Sequence, residues 1–212
     1  MVEIVYSCPF GCSFEESMKL TARRIWQYTL IVAMLVLVIG IVIDKRDVQH
    51  YADRMEQLMA EGDYQRALQV GDRSDKTDRQ LMLLRIEALG HEHQLGERLF
   101  TYPLTGNSGS LVKRGGDYEL CAYLIDKQLD RFVSKLPKYY PTTDNLPRHY
   151  REALVLYTHL RANPAMVYHD NVMDTDYRDM KALERRYADR RAREMAVFQQ
   201  YEKTYWYYFG YK

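Results

Sequence analysis

Glu61-Gly62-Asp63-Tyr64-Gln65-Arg66-Ala67-Leu68 is the stretch on which the fold turns. Upstream of it, Tyr51, Met55, Leu58 and Met59 recur at steps of three and four, the spacing of one helix face, over a helix that begins near Asp47. Gly62 stops that helix, because glycine adopts the left-handed conformation of a helix cap without a Cβ penalty. Asp63 restarts the chain, and Tyr64, Ala67, Leu68 and Val70 fall on a second short helix. Helices joined by two or three residues must pack antiparallel, so the stretch reads as a helical hairpin.

The same punctuation recurs downstream. Thr77 begins a third helix with Leu81, Leu84, Ile86, Ala88 and Leu89 buried, and Gly90 breaks it. Leu95, Leu99 and Phe100 mark a fourth, ended by Tyr102-Pro103, and the glycine-rich run Gly106 to Gly116 is a loop. A fifth helix from Asp117 carries Leu120, Tyr123, Leu124, Leu129, Phe132 and Val133 before Pro137. A sixth carries Tyr150, Ala153, Leu154 and Tyr157 and ends at Asn163-Pro164; a seventh, long helix runs from near Asp174 to Tyr208. The expected fold is therefore all-α, an array of antiparallel hairpins closed by a long C-terminal helix.

On the other side of the decisive stretch lies an uncharged run from Trp26 to Ile43, bracketed by Arg23-Arg24 and Lys45-Arg46. At 1.5 Å per residue it covers about 27 to 29 Å, near the thickness of a bilayer core. A core helix of this length keeps a polar stripe, whereas here Gln27, Tyr28 and Thr29 cluster at one end. A cleaved signal peptide is the rival reading, but the run is long and Ile41-Val42-Ile43-Asp44 lacks a small-residue cleavage site. The expectation is one transmembrane signal-anchor helix over 25–43, an N-terminal cytoplasmic segment over 1–24 and a soluble domain over 44–212. Basic residues flank both ends, Lys19, Arg23 and Arg24 before and Lys45, Arg46 and Arg54 after. The leader-like order Met18-Lys19-Leu20-Thr21-Ala22-Arg23-Arg24 breaks the tie and places the domain outside the cytoplasm. Met18 is an alternative start, with 1–17 an unstructured extension.

Composition excludes several function classes. Thirty Lys and Arg against 29 Asp and Glu give a net charge of +1, without the basic excess that nucleic-acid binding needs. Three cysteines cannot staple a disulfide scaffold. Cys8-Pro9-Phe10-Gly11-Cys12 offers two thiols and no second ligand pair for zinc, and Cys121 sits in an apolar helical pattern. His91 and His93 lie two residues apart, about 200° around a helix, and cannot share a metal there. His149, His159 and His169 form no recognisable ligand set, and Asp174, Asp176 and Asp179 read as first-turn acids, with Asp174 or Thr175 as N-cap. No nucleophile elbow or phosphate loop is present. The sequence thus predicts no enzyme, no cofactor and no metal. Arg185, Arg186, Arg190, Arg191 and Arg193 alternate with Glu184, Asp189 and Glu194 and read as a self-compensating solvated face.

Two resemblances add to this reading. Tyr51, Leu58, Gly62, Asp63, Tyr64, Ala67 and Leu68 resemble a tetratricopeptide repeat, with Gly and Tyr at the turn and a small Ala at the helix crossing. Ala88, Leu95 and Leu99 resemble a degenerate second repeat, without the terminal Pro. Separately, the stretches 94–103, 146–154 and 204–208 are similar to the C-terminal helical part of an uncharacterised family of bacterial integral membrane proteins of the Bacteroidetes type. That resemblance implies location and fold but no chemistry: the bacterial inner membrane, with the domain in the periplasm. The expected function is a membrane-anchored scaffold or adaptor that holds an unknown protein partner at the cell envelope. The alternative is an accessory subunit of a multi-helix membrane complex such as a transporter or secretion assembly. Trp206, Tyr207, Tyr208 and Tyr211, in the aromatic C-terminus, are the candidate partner-binding residues.

Overall fold

The computed structural model describes the backbone of residues 14–106 and 108–212, and the side chains of residues 25–38, 47–106 and 108–212. The expectations for Cys8, Cys12 and the start at Met1 lie outside these residues. The chain divides into two compact units, Met1–Asp47 and Val48–Lys212.

In the first unit, helix α1 (Phe14–Ala60) carries Ile25 to Val38 with every large apolar side chain exposed, Trp26 at 76%. Among the described residues no helix is long and apolar enough to cross a membrane, which corrects the expected transmembrane helix. The rest of the expected span, 39–43, falls outside the described side chains.

The second unit is all-α, with no strand among the described residues. The end of α1 is followed by α2 (Tyr64–Gln69), α3 (Arg79–His91), α4 (Leu95–Arg98), a 3-10 turn at Leu99–Thr101 and another at Val112–Arg114. Then come α5 (Gly116–Ile125), α6 (Leu129–Tyr139), α7 (Arg148–Leu160), α8 (Asn171–Arg185), α9 (Arg190–Tyr201) and α10 (Tyr205–Tyr211). One continuous apolar core runs from Met55 through Leu89, Phe132 and Leu154 to Tyr207.

Three of its turns are closed in the same way. Gly62, His93 and Lys127 take left-handed backbone angles, with φ of 79°, 55° and 56°. In each case the following N–H returns to the carbonyl five residues back, Asp63 to Leu58, Gln94 to Leu89 and Gln128 to Tyr123, the closure of a Schellman motif. The turns stand 31 and 34 residues apart. Met55, Ile86 and Leu120, seven residues before each, are buried, as are Leu68, Leu99 and Val133, six residues after. Lys127 also breaks the expected fifth helix into α5 and α6. No Gly or Pro marks that break in Ile125-Asp126-Lys127-Gln128, so local sequence did not announce it.

Because a Cβ at Gly62 would meet nothing within 4 Å, any cost of substituting it is backbone strain alone. Gly62→Val is expected to lower stability by about 1–2 kcal/mol, and His93→Gly to raise it by about 0.5 kcal/mol. Urea midpoints for the two variants check this; shifts in the same direction would overturn the shared left-handed cap.

The expected long C-terminal helix is three helices. Asp189 caps α9 by accepting from the Ala192 N–H, and the Arg193 guanidinium binds the Tyr187 and Ala188 carbonyls of the preceding turn, so helix-breaking hydrogen bonds outcompete continuation. Thr204 does the same for α10, accepting from the Tyr207 N–H. Two caps also sit slightly upstream or downstream of expectation: Asp78 rather than Thr77 caps α3, and Asp170 rather than Asp174 or Thr175 caps α8. In both, a carboxylate takes the orphan N–H groups of the first turn.

Candidate interaction surface

The hairpin residues singled out in the sequence come together. Leu58, Ala67 and Leu68 are buried, Gly62 makes the turn, and Tyr51 packs its ring against Gly71. Tyr64 stacks on His91 at 4.2 Å, beside a shallow hollow edged by Glu61, Asp63 and Glu92. His91 ends α3 while His93 takes the left-handed position of the turn after it, and among the described residues no group of three or more His, Cys, Asp or Glu side chains could hold a metal.

The aromatic C-terminus is placed inward. Trp206 and Tyr207 are 4% exposed, and Tyr208 and Tyr211 are half-buried with their hydroxyls donating to the Ile125 carbonyl and to Glu184. Phe198, by contrast, is exposed.

Helix α3 has two faces. Leu81, Met82, Ile86, Ala88 and Leu89 enter the core, while Arg79, Gln80, Leu83, Leu84 and Glu87 line an open groove of about 550 Å³. Leu83 and Leu84 are half-buried and form its apolar floor, although the sequence pattern assigned Leu84 to the core. Polar side chains edge it. Gln80 donates to Glu56 at 2.9 Å, and Arg114 donates to Glu87 at 2.6 Å while lying over the Tyr118 ring. Arg79 forms no ion pair with a described residue.

The interior holds polar groups that sequence reasoning missed. Arg85 is buried; its Nη2 donates to the Gly71 carbonyl and its guanidinium lies 5.1 Å from the Tyr102 ring centre, with Nε and Nη1 unpartnered. Burial pulls its pKa down from the ordinary arginine value. Glu152 is equally enclosed: Arg148 Nε at 2.8 Å, His149 Nδ1 at 3.0 Å and the Tyr205 N–H at 2.7 Å all reach its carboxylate. Glu119 accepts from Tyr139 and Tyr123, and these bonds hold its carboxyl below the usual carboxylate range. The Tyr140 and Tyr150 hydroxyls converge on Asp117, with Cys121 beside Tyr150 at 3.4 Å. Burial pushes the Cys121 thiol well up, so it is not a thiolate nucleophile at neutral pH. Asp117 and Glu119 lie in the first turn of α5 and Glu152 in the second turn of α7, and only the tertiary packing brings phenols to the first two and the Tyr205 N–H to the third.

Burial also raises the phenols, Tyr177 and Tyr208 to about 12, and Tyr140, Tyr150 and Tyr205 upward by the same cause. A phenol whose folded pKa lies above its unfolded value of about 10 stabilises the fold fully below pH 10 and loses that contribution as pH rises through the folded value. Urea midpoints are thus expected to hold steady on the neutral side and to fall between about pH 10 and 12. A midpoint unchanged to pH 11.5 would contradict the buried phenols.

Neither a curated protein nor a solved structure matches the chain. The stretches 146–154 and 204–208 lie within residues 113–212, and the stretch 94–103 lies outside them. Residues 113–212, which carry α5 to α10 and the Glu119 and Glu152 clusters, match a family of unknown function, DUF6057.

Proposed function

We propose that Val48–Lys212 is a tetratricopeptide-like helical scaffold that binds a protein partner in the α3 groove. The observation that carries this reading is the threefold turn at Gly62, His93 and Lys127: the second spacing, 34 residues, equals the tetratricopeptide period and the first, 31, falls three residues short of it. Arrays of such hairpins commonly use an exposed helix face to receive an extended or helical segment, and α3 leaves Leu83 and Leu84 accessible between polar edges. The scaffold reading is one of fold analogy joined to one groove. The exposed apolar side chains of Ile25 to Val38 further support attachment of the chain to a lipid surface at the cell envelope.

A photo-crosslinking amino acid at Leu84 of the full chain tests the groove in cells. A discrete adduct is expected from Leu84 and none from Arg178, an exposed residue of α8. Equal labelling at both positions, or none at Leu84, would overturn the assignment. Flotation with phospholipid vesicles tests the lipid attachment; full chain that stays at the bottom of the gradient removes it.

A further inference from the structure

We propose that the occupant of the α3 groove is α3 of a second copy of this chain, lying antiparallel across it; this rests on the reading of the groove as a docking surface. The order of charge along the helix carries the argument. Arg79, Leu83 and Glu87 stand four residues apart in one column, a cation, an apolar residue and a carboxylate. In a twofold contact, every residue i that meets j is matched by j meeting i. With the axis at Leu83, Arg79 of each copy opposes Glu87 of the other, about 6 Å along the helix on either side of the axis. Leu83 and Leu84 of both copies then close over one another. A parallel arrangement would set Arg79 on Arg79 and Glu87 on Glu87, so the stripe is complementary to itself in one orientation only.

The groups that must pair are available. Arg79 is exposed and has no ion pair with a described residue. Glu87 is half-exposed; Arg114 holds its Oε2 at 2.6 Å and His91 stands 3.7 Å from its Oε1, both side chains themselves half-exposed, so a second guanidinium meets the carboxylate on the looser Oε1 side. Gln80 and Glu56 supply a polar rim, as the edge of a docking surface requires. Because the apolar floor is two leucines wide, the dimer is expected to be weak, its area below about 1,200 Å², and weakened further by salt that screens the two end pairs.

The test uses the full chain in mild detergent with Cys8→Ser and Cys12→Ser, Cys121 being buried. Leu83→Cys, on the axis, is expected to give a disulfide-linked dimer on mild oxidation at least ten times faster than Gln65→Cys, an exposed control away from the groove. Added to the Leu83→Cys chain, Arg79→Glu sets carboxylate against carboxylate, and Glu87→Arg sets cation against cation; each is expected to cut the cross-linking rate about tenfold. An equimolar mixture of the two, distinguished by tags, restores attraction at both ends and is expected to recover the mixed dimer. Circular dichroism of Arg79→Glu alone, a side chain with no ion pair to a described residue, confirms that the loss is not unfolding. Cross-linking no faster than the control, or a mixture no better than its components, overturns the proposal. If Leu84 instead photo-crosslinks only to a different protein, self-association falls while the docking reading stands; if it yields no adduct at all, both fall.

Discussion

Deleting residues 203–212 is expected to abolish the cooperative unfolding transition of the second unit. Tyr205, Trp206 and Tyr207 are buried, and truncating a buried aromatic costs about 3–5 kcal/mol each, which together rivals the whole stability of about 5–15 kcal/mol typical of a domain. The loss is not only apolar. The Tyr205 and Tyr208 hydroxyls donate to the Leu124 and Ile125 carbonyls at the end of α5, where Leu124 O also receives the Lys127 N–H of the turn. Trp206 Nε1 donates to the Glu152 carbonyl at 2.7 Å, and Phe100 packs against the rings of both Tyr205 and Tyr208. Thermal melts followed by circular dichroism check the prediction. A truncated chain that melts cooperatively within a few degrees of the parent would show that α10 is an external element and that its rings serve a partner instead.

Glu152→Ala is expected to destabilise by about 3–5 kcal/mol, and Glu152→Gln by less than half as much. The alanine removes the acceptor of three groups at once, Arg148, His149 and the Tyr205 N–H, and the last two are enclosed where water cannot replace it. Unpaired buried donors carry their full desolvation penalty, and those facing a charged partner carry more. Glutamine keeps one acceptor oxygen and the side-chain volume, so part of the network survives. His149 Nε2 is already without a partner in this pocket, so a rearranged His149 has no second acceptor to turn to. Chemical denaturation of the two variants separates the cases; equal losses would mean that volume, not hydrogen bonding, sets the cost. The same carboxylate sits at the N-terminus of α10, which makes Glu152 the fastening between α7 and the C-terminus.

What the sequence determined by itself is what short-range periodicity and turn chemistry can encode. The first hairpin is legible because Leu58, Gly62, Asp63 and Ala67 each act within a few residues: apolar spacing sets a face, glycine permits the left-handed cap, and a carboxylate takes the first-turn N–H groups. The apolar character of Ile25 to Val38 and the all-α class are local in the same sense. The tertiary structure alone decided where helices end without a glycine or proline. Lys127 bends left-handed in the polar stretch Asp126-Lys127-Gln128 with no glycine or proline, and Lys127 Nζ lies over the Tyr208 and Phe209 rings more than eighty residues away in sequence. The expected single C-terminal helix fails for a related reason, since Thr204 can cap α10 only because Glu152 waits, across the core, for the Tyr205 N–H. The groove is of the same kind. Leu84 carries the pattern of a core residue, and its partial accessibility beside Leu83 follows from what packs on the neighbouring faces of α3, which no window of sequence contains.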